Sequence, residues 1–280
     1  MLTNSIPNCA GLVSMGAPIL KVYKIAAIGL LLVWSAFSSP SWAAEDIKTL
    51  VQSRLSKDGL VLDLSRVVIG TKGAKELAQM EQLSSVTTLL LQGNKIKYKG
   101  MKALAKSPHL ANLKHLDLWG NLIGDLGLKA LAESPYMKNL ESLKIWKNEI
   151  GDEAFGFVGG SKNFLKLKTL LLNDNLITPD GVAALAEVET LPKLEILNLF
   201  RNEIGDGGAV ALANSKNFPN LQVLYMGQNN IADAGAEALM DSQFFPKLET
   251  LDLVMNPLSQ KMRMKAFKIS KEKGIRIIIR

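Results

Sequence analysis

The sequence predicts an α/β solenoid, with a parallel β-sheet on a concave face and helices on the convex face. Three observations carry this. From residue 60 to residue 258 the chain repeats with a fixed period of 27 residues. Within each unit the apolar residues switch from strand spacing to helical spacing. Eight successive units keep phase without one insertion or deletion, the signature of a stacked array.

One unit shows the logic. Leu113, Leu116, Leu118, Asn121, Ile123, Gly127 and Leu131 hold fixed places in it. Leu116 and Leu118 alternate with polar residues, so this stretch reads as a short strand with one buried face. Asn121 then turns the chain, its amide suited to hydrogen-bonding backbone groups inside the coil. The asparagine recurs as Asn94, Asn121, Asn148, Asn175, Asn202, Asn229 and Asn256, which predicts an internal ladder. Asp125 stands where a helix N-cap is wanted, and Leu128 and Leu131 follow at helical spacing. Neither element can bury its apolar face alone, so units must stack. The first unit diverges, with Val67 at the asparagine position.

The L-x-x-L-x-L-x-x-N-x-I core and the G-x-x-x-L helix resemble the leucine-rich-repeat family, in its ribonuclease-inhibitor-like class and a bacterial exported type. The resemblance covers residues 59–258 and implies a right-handed, horseshoe-shaped solenoid. It also implies recognition of macromolecules, usually proteins, on the concave face, without naming the partner. Unit four departs from the pattern: Ala154 replaces the glycine and a Phe155-Gly156-Phe157-Val158-Gly159-Gly160 run follows, which predicts a short or irregular helix. In unit five Pro179 replaces the aspartate.

The ends read as caps. Residues 44–58 hold a capping helix with Ile47, Leu50, Val51 and Leu55 on one face, closing the first unit. Residues 259–280 read as a basic C-terminal cap, an amphipathic helix and then a strand. The segment ahead of the solenoid is of another kind. Lys21 and Lys24 precede an apolar run at residues 25–33, and Ser41 and Ala43 sit at the small-residue positions of a cleavage site. Residues 1–43 therefore read as a signal peptide, cut after Ala43 or one residue later, with an uncleaved anchor as the alternative. The expected location is periplasmic or extracellular. Cys9, the only cysteine, lies in this leader, so the mature chain would carry no thiol chemistry. Net charge falls from +7 to +5 on cleavage, too modest an excess to imply nucleic acid.

Candidate site residues come from strand positions facing away from the core. Two residues before each asparagine the chain offers Trp119, Trp146 and Phe200; four before, Asp117, Lys144, Asn198 and Tyr225. His115, Lys147 and Arg201 flank them. Adjacent strands lie about 4.8 Å apart, so the two tryptophans should sit side by side with Phe200 roughly 10 Å beyond. Exposed aromatics among charges have the chemistry of an interaction hot spot. The same rings could stack on a glycan, or merely cover the leucines beneath. His115, Asp117 and Ser142 share a strand face in an arrangement that imitates a hydrolase triad, but the open sheet offers no evident oxyanion hole. The recurring aspartates Asp125, Asp152, Asp206 and Asp233 read as helix caps rather than calcium ligands. No metal site, phosphate loop or cofactor fingerprint is present.

The basic cap is the most charged segment. Residues 261–280 hold eight lysines and arginines against Glu272. Lys265, Lys268, Lys271 and Arg276 are the candidates for contact with an anionic surface; a solvated face is the plain alternative. The expected function is a non-catalytic scaffold that binds a protein partner on its concave face, in the bacterial envelope or outside the cell. The alternative is an envelope-glycan or anionic lipid or lipopolysaccharide binder using the aromatic patch and the basic cap. Nucleic acid is set aside for an exported protein, and a hydrolase at His115 is the remote third reading.

Overall fold

The computed structural model describes residues 46–280, so the expected leader at residues 1–43 lies outside the described range. Helix α1 (Ile47–Arg54) opens it and buries Ile47, Leu50 and Val51 against the first repeat. Eight strand–helix repeats follow. Their strands are β1 (Val61–Asp63), β2 (Thr88–Leu90), β3 (His115–Asp117), β4 (Ser142–Lys144), β5 (Thr169–Leu171), β6 (Ile196–Asn198), β7 (Val223–Tyr225) and β8 (Thr250–Asp252). Between them run α2 (Gly70–Leu77), α3 (Tyr98–Ala105), α4 (Gly124–Ala132), α5 (Glu153–Gly159), α6 (Pro179–Ala186), α7 (Gly205–Ala213) and α8 (Asp233–Asp241). Helix α9 (Gln260–Lys273) and strand β9 (Arg276–Ile278) close the array. All nine strands pair in parallel in chain order, forming one open sheet.

The register explains the period. Leu89 pairs with Leu116, Leu116 with Leu143, and so on to Leu224 with Leu251, so each core leucine lies beside its equivalent one repeat away. This row is buried between sheet and helices. Helix α5, the Gly-rich one, has only seven residues, against eight or nine in its neighbours. Three residues after each of β1 to β8 comes a left-handed residue just before the asparagine position, from Arg66 at φ 60° to Met255 at φ 59°. There the amide turns to the next repeat, as in Arg66 N–H to Gln92 O at 2.7 Å.

The asparagine ladder forms as expected. Asn121 Oδ1 accepts the amides of Asn94 (3.2 Å) and Ile96 (2.9 Å), and its Nδ2 donates to Leu91 O (2.9 Å) and Leu118 O (2.8 Å). Asn175, Asn202 and Asn256 use the equivalent partners, while Asn148 and Asn229 keep part of the set, Asn148 accepting the Ile123 amide and Asn229 the Asn202 amide. A buried backbone group left unpaired costs about 1–3 kcal/mol, so each asparagine keeps the coil's interior satisfied.

The aspartate column corrects the sequence reading. Asp125 does not cap its own helix: α4 follows Ile123, which makes no side-chain cap. Its carboxylate instead accepts the Gly151 amide of the next repeat at 2.6 Å. Asp152 takes the Thr178 amide, Asp206 those of Ala232 and Gly235, and Asp233 that of Ser259. The demand for an acceptor at a helix start is the expected one, but the neighbouring coil meets it. Where the column holds Tyr98 or Pro179, the next repeat has Gly124 (φ 55°) or Gly205 (φ 58°). That left-handed turn sends the amide to Asn148 O or Asn229 O instead. A serine column, unremarked in the sequence reading, does similar work: Ser107, Ser134, Ser161, Ser215 and Ser242 each donate to a helix-end carbonyl of the preceding repeat.

Candidate binding face

The open face of the sheet presents the side chains that the helices do not cover. On it Trp119 and Trp146 stack, with ring centroids 4.4 Å apart and planes 16° from parallel. Equivalent residues in adjacent repeats are held at strand spacing, so two flat rings there meet face to face. Arg66 lies on the other side of Trp119, its guanidinium carbon 5.4 Å from the ring centroid. Arg66 reaches the ring across Gly93, where an added Cβ would sit 3.4 Å from the Arg66 side chain. The sequence reading missed Arg66; the signal was the glycine pair Gly93 and Gly120 in its column, which leaves the lane open.

Both tryptophans are half-buried rather than fully wet, and the Trp119 Nε1–H is shielded from solvent without a hydrogen-bond acceptor among the described residues. That corrects the expectation of two solvated rings: the stack and the overlying arginine cover them. Phe200 does not extend the pair. An added Cβ at Gly227 would lie 2.6 Å from the Phe200 ring, so the phenylalanine occupies the space above that glycine, two strands beyond β5 and away from the tryptophans. The aromatic patch is thus two patches, with Asn173 on the strand between them.

The polar candidates divide similarly. His115, Lys147 and Arg201 are exposed; Lys144, Asn198 and Tyr225 are half-buried. Asp117 is only 8% exposed, which corrects its placing among residues free to meet a partner. Its carboxylate accepts the Trp119 amide at 3.1 Å, and Lys144 Nζ stands 3.9 Å away. Burial pushes the Asp117 carboxyl above the usual range, opposed by that amide and by Lys144. Asn198 is engaged in the same way, accepting the Phe200 amide at 2.9 Å. Arg201 pairs with Asp174 at 3.1 Å at the rim of an open cleft of about 710 Å³ that Gln228 and Met255 also line. His115 and Ser142 are neighbours across β3 and β4, yet no hydrogen bond joins His115, Asp117 and Ser142 among the described residues. Asp117 is committed to the backbone, so the triad-like trio lacks the carboxylate–imidazole link that such chemistry needs.

The basic cap also divides. Lys265 is bound by Glu237 and Asp241, whose carboxylates raise its ammonium above the ordinary range, so it is not free for an outside surface. Arg263 donates to Leu258 O and Ile279 O, and Lys273 to Met240 O. Lys268, Lys271 and Arg276 remain exposed.

Comparison with known proteins agrees with this architecture. A family described as "Leucine Rich repeat" matches residues 82–105, 109–132, 165–186, 190–213 and 219–240. It passes over the unit with Ala154 and the glycine run. Among curated proteins none matches the sequence. Of solved structures, an internalin (inlF) from Listeria monocytogenes is similar at a TM-score of 0.52 and 24% identity, over 78% of this chain and 53% of that one. The chain thus spans about half the length of that internalin. An internalin C2 from the same organism is similar at a TM-score of 0.47 and 22% identity, over 78% and 84% of the two chains. The matched units are leucine-rich repeats, and the described chain is a leucine-rich-repeat solenoid.

Proposed function

We propose that this chain is a non-catalytic scaffold that binds a protein partner on the concave face of its sheet, and that the Trp119–Trp146 stack with Arg66 is the anchor. The proposal extends to place: a leader at residues 1–43 would export it to the bacterial envelope or beyond. The observation that carries the reading is the stack itself. The leucine core is complete beneath it, so the rings are not needed to fill the interior. Tryptophan, tyrosine and arginine in partly desolvated clusters supply most of the energy of protein interfaces. The unpaired Trp119 Nε1–H adds a reason: a buried donor without an acceptor costs about 1–3 kcal/mol, which a partner offering a carbonyl would recover.

The test is retention of an envelope protein by the immobilised chain, compared with Trp146→Ala and Arg66→Ala. A stoichiometric partner should bind the parent chain and lose on the order of thirtyfold in affinity when Trp146 is truncated, as an interface hot spot does. Equal retention by the parent chain and the Trp146→Ala protein would remove the stack from the interface.

A further inference from the structure

We propose that the outer face of α9 is a docking surface for an anionic lipid bilayer. This surface is separate from the sheet face and does not depend on it. Helix α9 buries Met262, Ala266 and Ile269 against the last repeat. On the opposite side of the helix, Met264 and Phe267 are 65% and 58% exposed. These two stand three residues apart, so their side chains lie together on one face. Lys268 and Lys271 share that face, four residues after Met264 and Phe267 respectively, and Lys261 is three residues before Met264. All three lysines are exposed. Lys271 Nζ stands over the Phe267 ring at 4.4 Å from its centroid. The helix's one acid, Glu272, makes an exposed contact of 3.6 Å with Lys268, a pairing worth little in water.

Charge and size both select the occupant. Three ammonium groups around two apolar side chains complement a layer of negative headgroups, with the apolar tips reaching the acyl boundary and the lysine stems lying along it. A protein partner would need roughly 800 Å² of this surface for a stable interface, and two side chains on one narrow helix fall well short of that. The neighbouring basic residues Arg263, Lys265 and Lys273 are consumed in holding the cap in place. Those that remain outward are the ones this face presents.

The experiment is co-sedimentation of the full chain with vesicles of phosphatidylglycerol and phosphatidylcholine, and with phosphatidylcholine alone. Every variant shares residues 1–45, so differences between variants report on α9. Lys268→Glu with Lys271→Glu should weaken partitioning to the acidic vesicles at least roughly fivefold per lysine, and added salt should have the same effect. Phe267→Ser should weaken it on the order of tenfold, by removing the apolar contact. Met264→Ser, at a still more exposed site, should act in the same direction, and thermal melts of all variants should match the parent chain. Partitioning unchanged by these substitutions would overturn the proposal. Loss with the lysine pair but not with Phe267→Ser or Met264→Ser would also overturn it, and would point to a soluble polyanion or an acidic protein.

Discussion

On β3 and β4 the open face carries two tryptophans in adjacent repeats, and they stand against each other. On β6 and β7 the same two places hold Phe200 and Gly227, and the phenylalanine fills the space above the glycine. The parallel register is equivalent in both regions, and the size of the neighbour differs. A large residue beside a large one is held upright by strand spacing, whereas a large one beside glycine lies down. The position two before the asparagine therefore does not fix how an aromatic is displayed. The residue one repeat away does, and the two regions of the face offer a partner different surfaces: a supported stack beside Arg66, and a single ring laid over Gly227 next to the Arg201–Asp174 pair.

The sharpest way to break the comparison is to give β7 a side chain. Gly227 has no left-handed φ that would require glycine, so the obstacle to a substitution is space alone. An added Cβ would be 2.6 Å from the Phe200 ring and 2.9 Å from Val254 Cγ1. Gly227→Val should therefore cost about 1–3 kcal/mol, as overpacking does, read from the midpoint of a denaturant melt. Combined with Phe200→Ala, most of that cost should disappear. A strictly additive double mutant would mean that Phe200 does not occupy the space.

Much of this was legible in advance because a solenoid repeats its constraints. The period located the strands and the asparagine ladder, since each is a local demand repeated from unit to unit, and the shortened α5 stood out where unit four departs from the pattern. Contacts between repeats were harder to read. Asp125 has the composition of a helix cap, and nothing within its own unit tells that its acceptor serves Gly151, 26 residues later. Gly124 and Gly205 do not give it away either, because Gly151 stands at the same place after Asp125, which keeps its carboxylate. The site suffered from the same blindness. Alternation assigned Asp117 and Trp119 to the outward side correctly, but outward is not exposed when Arg66, two repeats away, lies across the ring. Lys265 likewise counted as a free charge until Glu237 and Asp241 of the preceding helix met it.

A smaller effect is expected from dismantling the other half of the comparison. Trp146→Ala removes one ring of the stack, worth about 0.5–1.5 kcal/mol beyond the area it covers. The loss should appear in the melt and also in the remaining tryptophan. Trp119 is shielded on one side by Trp146 and on the other by Arg66, so acrylamide should quench it poorly in the parent chain and more readily in the variant. The emission of Trp34 and Trp42 is common to both proteins and cancels in the difference. Quenching that does not change would mean the rings do not shelter each other in solution.

The least effect should come from Asp117, whose carboxylate accepts the Trp119 amide. Burial raises its folded-state affinity for a proton above that of the unfolded chain, in spite of the Trp119 amide and Lys144. The folded protein then holds the proton more tightly than the unfolded chain does. Its contribution is most favourable below the ordinary carboxylate value of 3.8 and declines as pH rises through the higher folded value. Asparagine in its place keeps an oxygen for the Trp119 amide and carries no charge to desolvate. The stability of Asp117→Asn relative to the parent chain should accordingly improve as pH rises from below 3.8 toward neutrality and then level off. A gap that widens toward acid instead would mean that the Lys144 pairing outweighs burial, and that this aspartate is held as an ion. In that case the Lys144 ammonium, 3.9 Å from the carboxylate, would be the residue to neutralise next.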